Sequence, residues 1–251
     1  MPTREEAKEI RRNRILSAAR DLIRETEKTR FSMRMLAERS GVSLVTPYNL
    51  FGSKQAIMGA LLDEDIDLYG RNLARSRKDP LDRIFHAVTL GTRYFGQDEG
   101  YYRAVLSAVY ADGGNEYRSK FSGPRLALWR SLVNGAIDAG YLRQDTDTRV
   151  LAYHLSSLFY SNILPWAAGQ ISVRELEQRT LYGFALALYA TVRPAHQGRP
   201  REVIANTQAL LVDLREASRS GREAPQKPKT RRSKKARGTA KDLANGSASG
   251  L

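Results

Sequence analysis

The sequence predicts an all-α protein, and three observations carry that expectation. Apolar residues recur at the three-to-four-residue spacing of helices along almost the whole chain. No alternating apolar–polar run of useful length supports a strand. Helix start and stop residues punctuate the periodic stretches: Ser32 before and Gly41 after one, Ser53 before the next, then Asp79-Pro80 and Gly140.

The elements follow in order. Ile15, Ala19, Leu22 and Ile23 share one face of a first helix over about residues 4–25. Ser32 caps a short helix that ends at Ser40, with Gly41 as its stop. A third short helix covers about residues 44–51, and Ser53 caps a long one reaching about Arg77. Pro80 suits the first turn of a helix running to about Phe95. Asp98 opens another, to about Ala111, and Gly113-Gly114 marks a loop. Helices over about 119–139, 147–169 and 173–192 follow, the second with Pro165 near its end, and an amphipathic stretch lies near 200–219. Residues 221–251 are rich in Lys, Arg, Ala, Gly, Ser and Pro and almost lack large apolar side chains. They cannot bury enough surface to offset the entropy of ordering, so a disordered basic tail is expected.

Composition narrows the function. The 251 residues contain 41% hydrophobic and 27% charged side chains, which is ordinary for a globular chain. There is no cysteine, which excludes disulfides, thiolate metal sites and cysteine nucleophiles. No signal peptide is visible and no run approaches a membrane span; Leu181 to Ala190 is the longest candidate. A cytoplasmic protein without membrane contact is therefore expected. The net charge of +14 is uneven. Residues 1–54 carry +5 and residues 221–251 carry +7, around a middle of only +2. A polyanion that touches the ends and not the middle fits this distribution; a merely solubilising tail also fits its last part.

The segment Phe31 to Ile57 is the most informative. Met35, Leu36 and Ala37 stand where a short helix must face a core, and Ala37 is small enough for close packing. Gly41 permits the left-handed backbone of a tight interhelical turn, and Val42 points back inward. Ser43 can cap the next helix, whose Tyr48 and Phe51 divide between a polar edge and the core. This is the spacing of a helix-turn-helix, whose second helix enters the DNA major groove. An ordinary helical hairpin shares part of the pattern.

The longer pattern resembles the TetR family of bacterial transcriptional repressors. Gly41-Val42-Ser43, Thr46, Tyr48, Phe51 and Ser53-Lys54 match that family's signature, as do Ile15-Leu16, Ala18-Ala19 and Phe31-Ser32-Met33-Arg34 ahead of it. The resemblance covers about residues 10–60. It implies a helix-turn-helix DNA-binding domain over 1–54 and a helical ligand-binding and dimerisation domain over 55–220, followed by the tail over 221–251. It also implies DNA contacts by Ser32, Arg34, Ser43, Leu44, Val45, Thr46, Tyr48, Asn49 and Lys54. Their chemistry agrees. A helix N-terminus at Ser32, the Tyr48 hydroxyl and the Lys54 charge suit phosphates. Leu44, Val45, Thr46 and Asn49 suit base edges; Thr46 can meet a thymine methyl and Asn49 can pair bidentately with adenine. Pro47 departs from the family, which more often has leucine there. With a cap at Ser43 it removes the first intrahelical bond; with a cap at Thr46 it occupies the favoured first position.

In the middle domain the resemblance implies a small-molecule effector pocket and a homodimer. Aromatic and polar candidates for the pocket are Tyr94, Tyr102, Trp129, His154 and Phe159, with Phe95, Tyr101, Tyr153 and Trp166 in the wider set; plain core is the alternative for each. The helix from Leu181 to Ala190 is apolar nearly all round and must be covered on two sides. A partner subunit covering one side gives Leu155, Phe159, Leu176, Gly183 and Ala187 as interface candidates; a central helix of a large core is the alternative. No cofactor or metal is expected: His86, His154 and His196 are scattered, and there is no glycine-rich phosphate loop or serine elbow. The expected function is a sequence-specific transcriptional regulator, a repressor released from a palindromic double-stranded operator by a small molecule, and not an enzyme. A non-specific architectural DNA binder and an enzyme using the helical pocket are the other classes to separate from it.

Overall fold

Capping residues place the helices close to where the sequence predicts them. The computed structural model describes residues 3–26, 31–110 and 115–219. The expected Gly113-Gly114 loop and the tail over 221–251 lie outside the described residues. The described helices are α1 (Arg4–Thr26), α2 (Met33–Ser40), α3 (Val45–Phe51), α4 (Lys54–Ala74), α5 (Pro80–Gln97), α6 (Glu99–Tyr110), α7 (Asn115–Asp138), α8 (Thr148–Ala167), α9 (Val173–Tyr189) and α10 (Gly198–Arg219). A 3-10 turn at Pro194–His196, not foreseen from the sequence, leads into α10. No strand occurs among the described residues, only an isolated antiparallel bridge between Leu142 and Val192.

The caps explain the boundaries. Side chains of Ser32, Ser53, Asp79 and Ser172 accept hydrogen bonds from backbone N–H groups one turn ahead, starting α2, α4, α5 and α9. Gly41 sits at φ 64°, ending α2 with the Gly41 and Val42 N–H groups returning to the Glu38 and Ala37 carbonyls. Asp147 caps α8 by accepting from Arg149 and Val150, and these bonds and the Arg149 guanidinium hold its carboxyl below the usual range.

A small three-helix head is built by α1–α3. Ile15, Leu16, Ala19, Leu22 and Ile23 of α1 meet Met33, Leu36 and Phe31 in one buried cluster. Ile57, Met58 and Leu61 of α4 join the same cluster, so α4 runs from the head into the body across the expected boundary at residue 54. The body packs α4–α10, with Trp129, Trp166, Phe184, Leu155 and Leu176 fully buried. Helix α9 lies at its centre, against α5, α8 and α10. Helix α10 of the same chain thus covers one more side of α9, while Leu186 of α9 stays 47% exposed. Among the described residues, no helix is long and apolar enough to cross a membrane.

Candidate nucleic-acid interface and internal cavity

Helix α3 is held from beneath and left open above. Pro47 is buried, and Val42, Leu50 and Phe51 pack against the core. On the outer side Ser43 and Asn49 are exposed, and Leu44, Val45 and Tyr48 are 48%, 60% and 50% exposed. Ser43, Leu44, Val45, Tyr48 and Asn49 therefore share the solvent face, beside exposed Arg34, with Thr46 half-buried. Met35 corrects the expectation that it faces the core: it is 47% exposed, next to buried Leu36 and Ala37.

The start of α3 differs from both expected caps. Leu44 is the N-cap and makes no side-chain cap bond. The Ser43 hydroxyl instead pairs with the Thr46 hydroxyl at 2.8 Å, and the Thr46 N–H bonds the Ser43 carbonyl at 3.0 Å. Pro47 becomes the third helical residue. An N–H there has no intrahelical acceptor and, with leucine as cap, no side-chain acceptor either, so proline removes nothing that the helix uses. Helix α3 therefore starts without the kink that an interior proline would impose.

Three polar groups surround this face. The Ser32 hydroxyl accepts from the Met35 N–H at 3.1 Å. Lys54 is turned inward: its Nζ donates to the Phe31 carbonyl at 2.6 Å and lies 4.6 Å from the Phe31 ring centroid, and burial lowers its pKa. It fastens the start of α4 to the entrance of α2, with one of its three donors committed among the described residues. Arg14 is exposed and lays its guanidinium across the helix-turn-helix corner. A Cβ on Gly41 would stand 2.8 Å from Arg14 Nη2. Only the turn of the backbone brings these two residues together, so spacing gave no signal for it.

In the body, a cavity of about 90 Å³ is lined by Leu62, Asp65, Ile66, Tyr69, Tyr94, Phe95, Tyr102, Leu106, Trp129 and Phe159 among others. Four expected pocket residues, Tyr94, Tyr102, Trp129 and Phe159, are in this lining. His154 is not: it is exposed on the outer face of α8, with Tyr153 beside it at 66% exposure. Leu151 and Leu155, about one helical turn apart, point inward, and these two residues between them point out. Tyr101 and Trp166 are buried outside the lining, their polar atoms bonded to Asp65 and Glu99 respectively. Phe95 ties the rings together, 5.0 Å from Trp166 and 5.1 Å from Tyr102. The Trp129 Nε1 has no hydrogen-bond partner among the described residues. No group of His, Asp and Glu there is arranged to hold a metal ion.

The expected interface residues separate. Leu155 and Leu176 are fully buried within the single chain, and Phe159 faces the cavity. Gly183 meets Leu158 of α8, whose Cδ atoms are 3.5 Å from where its Cβ would be, so its smallness serves an intrachain crossing. Ala187 is half-buried. The apolar side chains left outside on α8 and α9 are Val150, Tyr153, Leu164 and Leu186.

The family model described as "Bacterial regulatory proteins, tetR family" matches residues 15–61. An uncharacterized HTH-type transcriptional regulator of Bacillus subtilis, YdeS, is 29% identical over 139 residues, covering 54% of this chain and 69% of its own. The fold is similar to a TetR transcriptional regulator from Rhodococcus sp. RHA1, with TM-score 0.61, 23% identity and coverage of 73% of this chain and 98% of that one. It is similar also to SmeT, the repressor of the Stenotrophomonas maltophilia multidrug efflux pump SmeDEF, with TM-score 0.55, 19% identity and coverage of 73% and 91%. The family match spans α1 from Ile15 through the first turns of α4, which is the three-helix head and its link to the body, and over these residues the chain is similar to the TetR family of bacterial transcriptional regulators.

Proposed function

We propose that the protein is a homodimeric repressor, released from a roughly palindromic operator when a small molecule occupies the cavity of its helical body. The observation that carries this is the open face of α3, where Leu44, Val45, Tyr48 and Asn49 stand exposed on a helix anchored by buried Pro47. In this reading Thr46 and Asn49 address base edges, with Leu44 and Val45 supplying apolar contact to thymine methyls. Tyr48, Ser32, Arg34 and Arg14 hold phosphates. Ser43 orients Thr46 through their shared hydrogen bond, and Lys54 fixes the angle of α4 and offers its remaining N–H groups to the backbone. The domains are the head over 1–54, the body over 55–220 and the basic tail. The second subunit covers Val150, Tyr153 and Leu186, which would otherwise leave an apolar face in water. The protein acts by binding in the cytoplasm, at the nucleoid, and not by catalysis.

Selecting bound duplexes from a random pool tests the reading. Enrichment of an inverted repeat with half-sites about 34–36 Å apart is the expected result. Recovery of unselected sequence would favour the architectural alternative, since a specific regulator prefers its site by about a thousandfold or more.

A further inference from the structure

The cavity and the reading head share one carboxylate. Asp65 lines the cavity from α4. Its Oδ1 accepts from Arg20 of α1 at 3.0 Å and its Oδ2 from the Tyr101 hydroxyl of α6 at 3.2 Å. Arg20 also reaches Glu64 at 3.3 Å. One turn along α1, Arg24 bonds Asp98 at 2.7 Å, and both guanidiniums lie over the Tyr101 ring, at 5.8 and 5.3 Å. Tyr101 in turn meets Tyr102, a cavity wall, edge to face at 5.0 Å. Thus α1, which carries half of the head's core, is latched to α4 and α6 through a group that also faces the cavity.

We propose that this latch is the sensing element, and that the effector is an apolar molecule bearing a basic amine which engages Asp65 and drives Arg20 off it. The inference rests on the effector reading above and names its chemistry. Three features support it. First, the cavity measures about 90 Å³, whereas a cavity that holds benzene has about 150 Å³. An effector of even one ring must therefore push the lining apart, and Asp65 and Tyr102 belong to that lining. Second, the walls are the faces and edges of Tyr94, Phe95, Tyr102, Trp129 and Phe159, and aromatic faces attract cations. Third, an ammonium at Asp65 stands beside Arg20 as a like charge, so it competes for the carboxylate and repels its present partner at once. Arg125, the other charged wall residue, has Asp63 within electrostatic reach as a counter-charge. Burial raises the Asp65 carboxyl pKa against the pull of Arg20, which makes its ionised form depend on a neighbouring cation.

The absence of cysteine allows a clean test in the full chain. Leu62 lines the cavity one helical turn before Asp65, on the same face of α4. Leu62→Cys is modified with 2-aminoethyl methanethiosulfonate, which adds an ammonium, or with propyl methanethiosulfonate, its neutral counterpart. Leu106→Cys on α6 serves if the first variant does not fold. Two readouts are taken: affinity for a duplex selected from a random pool, and amide exchange over residues 15–23 of α1. The aminoethyl adduct is expected to bind DNA at least tenfold more weakly than the propyl adduct and to exchange faster in α1. In an Asp65→Asn background both adducts are expected to behave alike, with DNA binding already weakened before modification. Equal effects of the two adducts with Asp65 present would overturn the proposal. So would faster α1 exchange with unchanged DNA affinity, or an Asp65→Asn protein that keeps full affinity and still distinguishes the adducts. Failure of the unmodified chain to select any duplex would instead defeat the regulator reading, and the exchange comparison would decide the latch on its own.

Discussion

At Gly41 two constraints coincide. Its φ of 64° lies in the left-handed region, and its missing Cβ leaves room for Arg14 Nη2, which would stand 2.8 Å from one. Gly41→Ala should therefore cost about 1–2 kcal/mol for the backbone alone, with a further loss as Arg14 is pushed from the corner. Thermal unfolding reads the first effect, and DNA binding by Arg14→Ala isolates the second; an unchanged midpoint for Gly41→Ala would deny the strain. On the neighbouring face, Tyr48→Phe should weaken binding to all sequences alike, because a hydroxyl on a phosphate carries no sequence information. Asn49→Ala should instead relax preference at one or two positions, by about 1–3 kcal/mol each. Binding measured on a set of single-base operator variants separates the two patterns. If both changes leave every affinity unchanged, α3 is not the reading helix.

Between helices, the boundaries were legible because caps are local. A Ser, Asp or Gly acts within one turn, and the spans begun by Ser32, Ser53 and Asp79-Pro80 came out close to expectation. What covers a helix is not local. The all-round apolar run in α9 correctly demanded two covers, but periodicity does not say whether the second is another subunit or α10 of the same chain. For the same reason Leu155 and Leu176 read as interface candidates and are core, while His154 read as inward and is exposed. Leu155→Ala should then destabilise the fold by about 2–5 kcal/mol, the ordinary cost of emptying a buried leucine site. The paired change Tyr153→Arg with Leu186→Arg should leave each subunit folded and shift sedimentation from dimer to monomer, since both side chains are exposed in the single chain. A dimer that survives the paired change would move the interface elsewhere. Gly183→Arg is a poorer probe, because it strikes Leu158 within the subunit.

Over the whole molecule, positive charge is concentrated at the two ends of the sequence. Residues 221–251 carry nine basic and two acidic side chains, and the head carries +5, against +2 for everything between. The head's share has a structural use, since Arg14 and Arg34 flank the open face of α3. Lysines and arginines that hold phosphates act by releasing condensed counterions, and each phosphate neutralised steepens the fall of log affinity with log salt by about 0.9. A tail engaging four or five phosphates would add roughly four to that slope while leaving base preference alone. Deleting residues 221–251 should therefore preserve folding, dimerisation and the selected sequence, lower affinity for non-operator DNA, and flatten the salt dependence. The comparison is made on one operator with long flanks, between the full chain and the truncation, from low to physiological salt. Equal slopes and equal low-salt affinities would mean that the tail's charge serves solubility alone.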